Sequence, residues 1–208
     1  MKKLLLLSLL IPIFCFGQKQ NKIDTIKNWF DTEYFKIDDS NIVVSKVIND
    51  VQGTKDEIYI RVKNFFTRNY MVANCVIQTD DKEAGTIIGK GFYENLYFGF
   101  YWFDLVTINS FHILRVDIKD NRIRVICSAN EMDYVKENNK YGRSTGSYTI
   151  VDHPPLTDKR NKNDAIISIS KGARTDAFIN LVIRMHTTID NLEKTIKEGA
   201  ISGENDNW

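Results

Sequence analysis

Hydrophobic positions change period several times along this chain, and each change marks an element. From Asn41 to Val51 the run is rich in Ile and Val, which predicts a strand, closed by a turn at Gln52 and Gly53. Ile58, Val62, Phe65, Phe66 and Tyr70 then recur at helical spacing, with Arg61, Lys63, Asn64 and Arg68 between them. This predicts a helix with one buried face, ending near Tyr70. Thr54 and Glu57 have the spacing of a capping box, hydroxyl and carboxylate each meeting an orphan amide at its start.

Strand signals follow in quick succession. Cys75 to Thr79 is a short strand, Asp80 to Gly85 a polar turn, and Thr86 to Tyr93 the returning strand, where Gly89 and Gly91 mark a bend or bulge. Val106, Ile108, His112, Leu114, Val116 and Ile118 alternate with Thr107, Asn109, Arg115 and Asp117. After a turn at Lys119, Asp120 and Asn121, Arg122 to Ala129 returns with Ile123, Val125, Cys127 and Ala129 inward. One face of this sheet needs a cover. The last helix, Thr175 to Glu198 and closing at Gly199, supplies it through Phe178, Leu181, Val182, Met185, Ile189, Leu192 and Ile196. Between them lies a polar stretch, Lys136 to Gly172, holding Pro154 and Pro155, with Ser147 to Val151 and Ala165 to Ser170 as extra strands.

The segment Lys55-Asp56-Glu57-Ile58-Tyr59, then Val76-Ile77-Gln78, then Asp81 through Gly91 resembles an exported bacterial family, domain of unknown function 4468. The resemblance spans roughly Ile42 to Met132 and is most specific around Gly85. It implies an α+β fold like that of the TATA-box-binding protein (TBP-like): a curved antiparallel sheet of order β-α-β-β-β-β-α gripping a helix, with a polar insertion before the last helix. The expected divisions are a signal at 1–17, an extension with a short helix at 18–40, the family core at 41–132, the connection at 133–172, the final helix at 173–199 and a tail at 200–208. The family has no assigned activity, so no catalytic residue transfers. Nor does the fold resemblance imply DNA binding, because fold and function separate readily.

The first seventeen residues give an address. Lys2 and Lys3 precede an apolar run from Leu4 to Phe16, the pattern of a secretory signal, too short to span a bilayer. Small residues at Cys15 and Gly17 place the cut between Gly17 and Gln18. Lipidation at Cys15 is the rival processing, and Phe14 before the cysteine argues against it. The product is expected to be exported, to the periplasm, the outer membrane surface or the medium, with no transmembrane span. Of 28 basic residues the cut removes two, leaving 26 against 27 acids. Such a chain lacks the basic excess that phosphate binding requires, and the cluster Lys159, Arg160, Lys162 is flanked by Asp158 and Asp164. No nucleic acid is expected as a partner. Cys75 and Cys127, each in a strand-like run, read as buried thiols rather than a bridge.

Catalytic signals are sparse. His112 sits on an apolar strand face, His153 in a turn before Pro154, and His186 on the last helix with no ligand four residues away. No metal-ligand spacing or cofactor motif occurs, and Gly89-Lys90-Gly91 lacks the spacing and helix of a phosphate loop. The aromatic stretch Tyr93 to Phe103 stands out, with Tyr97, Phe98, Phe100, Tyr101 and Trp102 as the candidate binding surface. As an exposed loop it is a platform for a sugar, a membrane interface or a protein; as the end of a long hairpin, half its rings are core. The expected function is therefore a non-catalytic envelope binding or interaction module for an unknown protein, apolar ligand or sugar. The alternative is an envelope hydrolase using His112 or His153 as base.

Overall fold

The computed structural model describes residues 22, 24–29, 31–69, 76–138, 140–152, 155–156 and 169–202. The 1–17 signal with Cys15 and the Gly17–Gln18 cut lies outside these residues, as do Tyr70, Cys75, His153, the Lys159, Arg160, Lys162 cluster, most of the 165–170 run and the end of the tail. The chain divides into two units, Met1–Lys36 and Ile37–Trp208. In the first, residues 24–29 are helical and the Trp29 ring stacks on Tyr34 at 5.1 Å.

The elements are β1 (Lys36–Asp38), β2 (Asn41–Asn49), α1 (Lys55–Asn69), β3 (Val76–Asp81), β4 (Thr86–Tyr101), β5 (Asp104–Lys119), β6 (Arg122–Ala129), β7 (Glu131–Asn138), β8 (Gly142–Thr149), a single 3-10 turn (Ile150–Asp152) and α2 (Lys171–Ser202). The capping box forms as its spacing predicts. Thr54 N donates to Glu57 Oε2 at 2.7 Å, while Glu57 N donates to Thr54 Oγ1 at 3.4 Å. The Thr54 amide and the Thr54 hydroxyl, which donates to the same Glu57 Oε2 at 3.1 Å, hold the Glu57 carboxyl below its ordinary range. Helix α1 then buries Ile58, Tyr59, Val62, Phe65 and Phe66, the stripe read from the sequence with Tyr59 added.

The strands form an antiparallel sheet in the order β1-β2-β6-β5-β4-β3. Strand β5 takes two partners in succession: β6 from Ile113 to Lys119, and β7 from Leu105 to Asn109. At this fork Ser110 is fully buried and donates to the Glu131 carbonyl at 2.7 Å. The even positions of β5, Val106 through Ile118, face inward with Ile123, Val125, Cys127 and Ala129 of β6. Helix α2 covers this face, burying the apolar stripe from Phe178 to Ile196. Its ties to the sheet are specific. Lys46 bridges Asp190 at 2.9 Å and Glu193 at 2.7 Å; Tyr93 Oη and Thr188 Oγ1 share a 2.8 Å bond; Arg184 and Asn180 donate to the carbonyls of Glu94 and Leu96, each at 2.8 Å. The fold is thus α+β, a curved, unclosed antiparallel sheet with a C-terminal helix.

Five details depart from the sequence reading. The polar connection before α2 contains a hairpin, β7 and β8, that extends the sheet beyond the fork. The strand expected over Ser147 to Val151 ends at Thr149, and Ile150 and Val151 turn into the 3-10 segment. Tyr148 alone is fully buried in β8, so no alternation announces the strand. Strand β4 continues past Tyr93 to Tyr101, with its irregularity between Tyr93 and Tyr97, where Glu94, Asn95 and Leu96 face only Asn109. Asn95 adopts φ 54° there and its amide donates to Asn109 Oδ1 at 2.8 Å. The bend expected at Gly89 and Gly91 falls instead on the partner strand, between Ile77 and Thr79, opposite Gly89. Helix α2 starts at Lys171 and passes through Gly199.

Candidate binding surface

Strands β4 and β5 close through a two-residue turn, Trp102–Phe103, with Tyr101 paired to Asp104. Trp102 takes φ 59°, a left-handed conformation that bulky residues seldom adopt. Register sets which way the rings point. Phe98 pairs with Thr107 and Phe100 with Leu105, on the helix-free face; Tyr97 pairs with Ile108 and Tyr101 with Asp104, on the side α2 covers further along. Phe98, Phe100, Trp102 and Phe103 are 65%, 75%, 80% and 83% exposed. Tyr97 and Tyr101 are half-buried, and Tyr93 and Leu96 are core. The stretch is therefore a long hairpin, as one sequence alternative had it, but its distal rings stand in solvent because the strands outrun the helix ties at Glu94 and Leu96.

Two members of this surface are missing from the candidate set read from sequence. Phe103 is one. Tyr141, 79% exposed in the β7–β8 turn, is the other, and only the pairing of Leu105 with Glu137 brings it beside the first turn. Asn138 holds the two turns together. Its amide nitrogen donates to Asp104 Oδ1 at 2.5 Å and, more weakly, to the Phe103 carbonyl at 3.4 Å, while its Oδ1 accepts from the backbone amides of Lys140 at 2.8 Å and Tyr141 at 3.2 Å. Lys136 bridges Asp104 at 2.7 Å, and with Asn138 it keeps the Asp104 carboxyl below its usual range. An asparagine two residues before a Lys-Tyr-Gly turn is a recognisable local signal for such an Asx turn.

Among the described residues, His112 and His186 do not converge on a reaction centre. His112 is 5% exposed and its ring stacks on Tyr93 at 3.8 Å with 11° between planes. Burial lowers its pKa to about 4. Cys127, fully buried, lies 3.7 Å from Tyr93 Oη, and burial pushes its thiol up to about 12. A buried thiol held protonated is a poor nucleophile. His186 is half-exposed on α2. Among the described residues no group of three His, Cys, Asp or Glu side chains could hold a metal ion.

The helix-free face carries a hollow of about 300 Å³, lined by Gln78, Lys90, Phe111, Glu131 and Asp133 among others. Lys90 Nζ sits 4.1 Å over the Phe111 ring, and Phe92 packs on Phe111 at 4.6 Å. Further along, Asp117 binds both Arg115 at 2.9 Å and Arg124 at 2.6 Å.

The curved antiparallel sheet and its C-terminal helix define the fold class. Residues 44–129 match the model of the family described as domain of unknown function (DUF4468) with TBP-like fold, a span that includes the β4–β5 turn. Two solved structures resemble the chain: a TBP-like protein from Parabacteroides distasonis, 17% identical over 76% of this chain and 99% of that one, TM-score 0.47; and a DUF4468 family protein from Bacteroides ovatus, 17% identical over 78% and 94%, TM-score 0.50. At this identity the second likeness speaks for the fold alone. No curated protein matches the chain. Among the described residues no helix is long and apolar enough to cross a membrane.

Proposed function

We propose that this chain is a non-catalytic binding or interaction module of the cell envelope, and that the aromatic end of the β4–β5 hairpin is its contact surface. The observation that carries the reading is four large rings, each more than three fifths exposed, within six residues. Contiguous exposed apolar surface contributes nothing to a monomer's stability and commonly marks an interaction site. Tyr97 and Tyr101 complete the surface on its other side. The predicted secretory signal supplies the envelope address, and the near-equal charge balance supports a partner other than nucleic acid. The hydrolase alternative draws no support from His112, which is enclosed and held neutral.

The test attaches a photo-crosslinking side chain at Phe98 in protein recovered from cells expressing the full chain. Irradiation in the cells' own envelope fraction should yield an adduct that Trp102→Ser with Phe103→Ser abolishes while the circular dichroism spectrum stays unchanged. An absence of adducts, or adducts indifferent to those substitutions, removes this surface from consideration.

A further inference from the structure

We infer that the partner of this surface is a lipid bilayer, with Phe100, Trp102, Phe103 and Tyr141 seated in its headgroup boundary; the inference rests on the reading above and names the partner. Shape is the first argument. The rings project from two adjacent turns at one end of the sheet rather than lining a hollow, whereas sites for small ligands are concave with converging polar groups. Phe98, Phe100 and Phe103 carry no polar atom to orient a sugar. Trp102 and Tyr141, each an apolar body with one polar tip, have the chemistry favoured at membrane interfaces.

Depth agrees. At about 3.4 Å per residue, Phe100 stands about 7 Å and Phe98 about 14 Å back along the strand from Trp102. Interfacial elements enter about 5–10 Å, so the turn and Phe100 are immersed while Phe98 stands above the boundary.

Polar groups at this end are already provided for. Asn138 satisfies the Lys140 and Tyr141 amides and supports the Phe103 carbonyl, which lowers the penalty for taking these peptide groups out of water. Asp104 is paired with Lys136, and Glu137 lies 3.8 Å from Arg143. Lys140, with its Nζ 5.2 Å from the Tyr141 ring centre and exposed, is a cation at the turn placed to meet anionic headgroups.

The experiment uses protein from cells expressing the full chain, with Trp29→Phe and Trp208→Phe so that Trp102 alone emits. Vesicles of phosphatidylethanolamine and phosphatidylglycerol should shift its emission to the blue, and brominated lipid should quench it. In flotation, Trp102→Ser with Phe103→Ser should weaken partitioning by about tenfold or more, and any contribution from the apolar run at 4–16 cancels in that comparison. Equal flotation of the two proteins overturns the inference. A Trp102 shift with delipidated envelope extract and none with vesicles overturns the lipid assignment yet leaves the contact surface standing, whereas silence with both removes both. Doubling of mass without vesicles, accompanied by the shift, assigns the surface to a second copy and overturns the lipid assignment.

Discussion

Replacing Gly85 by alanine probes the β3–β4 turn through two separable effects. Gly85 has φ +71°, and an added Cβ would come within 2.7 Å of the Ile118 carbonyl oxygen and 2.5 Å of Lys55 Cε. The lysine tail can swing aside, but the carbonyl is backbone of β5. The neighbouring bonds tighten the site further: Ile118 N donates to the Gly85 carbonyl at 2.7 Å, and Lys55 Nζ to the Glu83 carbonyl at 2.7 Å. Gly142 provides the control, with φ +79° and nothing within 4 Å of the same added atom. Alanine in the left-handed region costs about 1–2 kcal/mol, reduced by about 0.4–1 kcal/mol through the stiffer unfolded chain. Gly142→Ala should therefore cost about 1 kcal/mol. Gly85→Ala adds an overpacking penalty of about 1–3 kcal/mol, for about 2–4 kcal/mol in all. Urea unfolding followed by circular dichroism reads both as midpoint shifts at constant slope. Losses equal within about 0.5 kcal/mol would refute the backbone clash, since both variants share the conformational term.

Three further outcomes are expected. The His112 imidazole has a folded pKa of about 4 against an ordinary 6.5, so the unfolded chain takes up the proton first as pH falls. The stability linked to its neutral form is complete above pH 6.5 and lost towards pH 4, a change of about 3 kcal/mol that His112→Leu should flatten; an unaltered slope in that window would contradict it. Cys127 should resist iodoacetamide in the native protein and react only on unfolding, so peptide mass spectrometry finding rapid native labelling would show that the thiol is not enclosed. Asn138→Ala should release the two turns from each other, increasing protease cleavage near Trp102 and Tyr141 while the core unfolding midpoint shifts by no more than about 1–2 kcal/mol; unchanged cleavage would deny Asn138 its linking role.

What the sequence discloses depends on how one-sided each element's surroundings are. β5 and β6 bury one face under α2 and leave the other open, so alternation of apolar and polar positions makes both legible. The α1 capping box is legible because its bonds are local. Hairpin β7–β8 is not, since few positions are fully buried: Met132 and Tyr134 in one strand, Tyr148 in the other. At the binding surface the rings were plain from composition, but their exposure was not. An aromatic run with rings on both sides of a strand has no period, and whether it is core depends on where a helix some 80 positions later stops covering it. Asn138 was hidden for a related reason, its partners Phe103 and Asp104 becoming neighbours only through the β5–β7 pairing.

The irregularity in β4 has a consequence for how this hairpin varies. Glu94, Asn95 and Leu96 stand opposite one residue of β5, so β4 carries two residues more than its partner over that interval. An even excess slides the distal strand towards the tip by about 7 Å without rotating it, because side chains alternate with a period of two. A single-residue deletion there would leave two residues opposite one, the count of an ordinary bulge, so Phe98 and Phe100 keep their side while the reach shortens by about 3.4 Å. The interval around Asn95 thus sets how far the aromatic end extends, separately from which rings it shows.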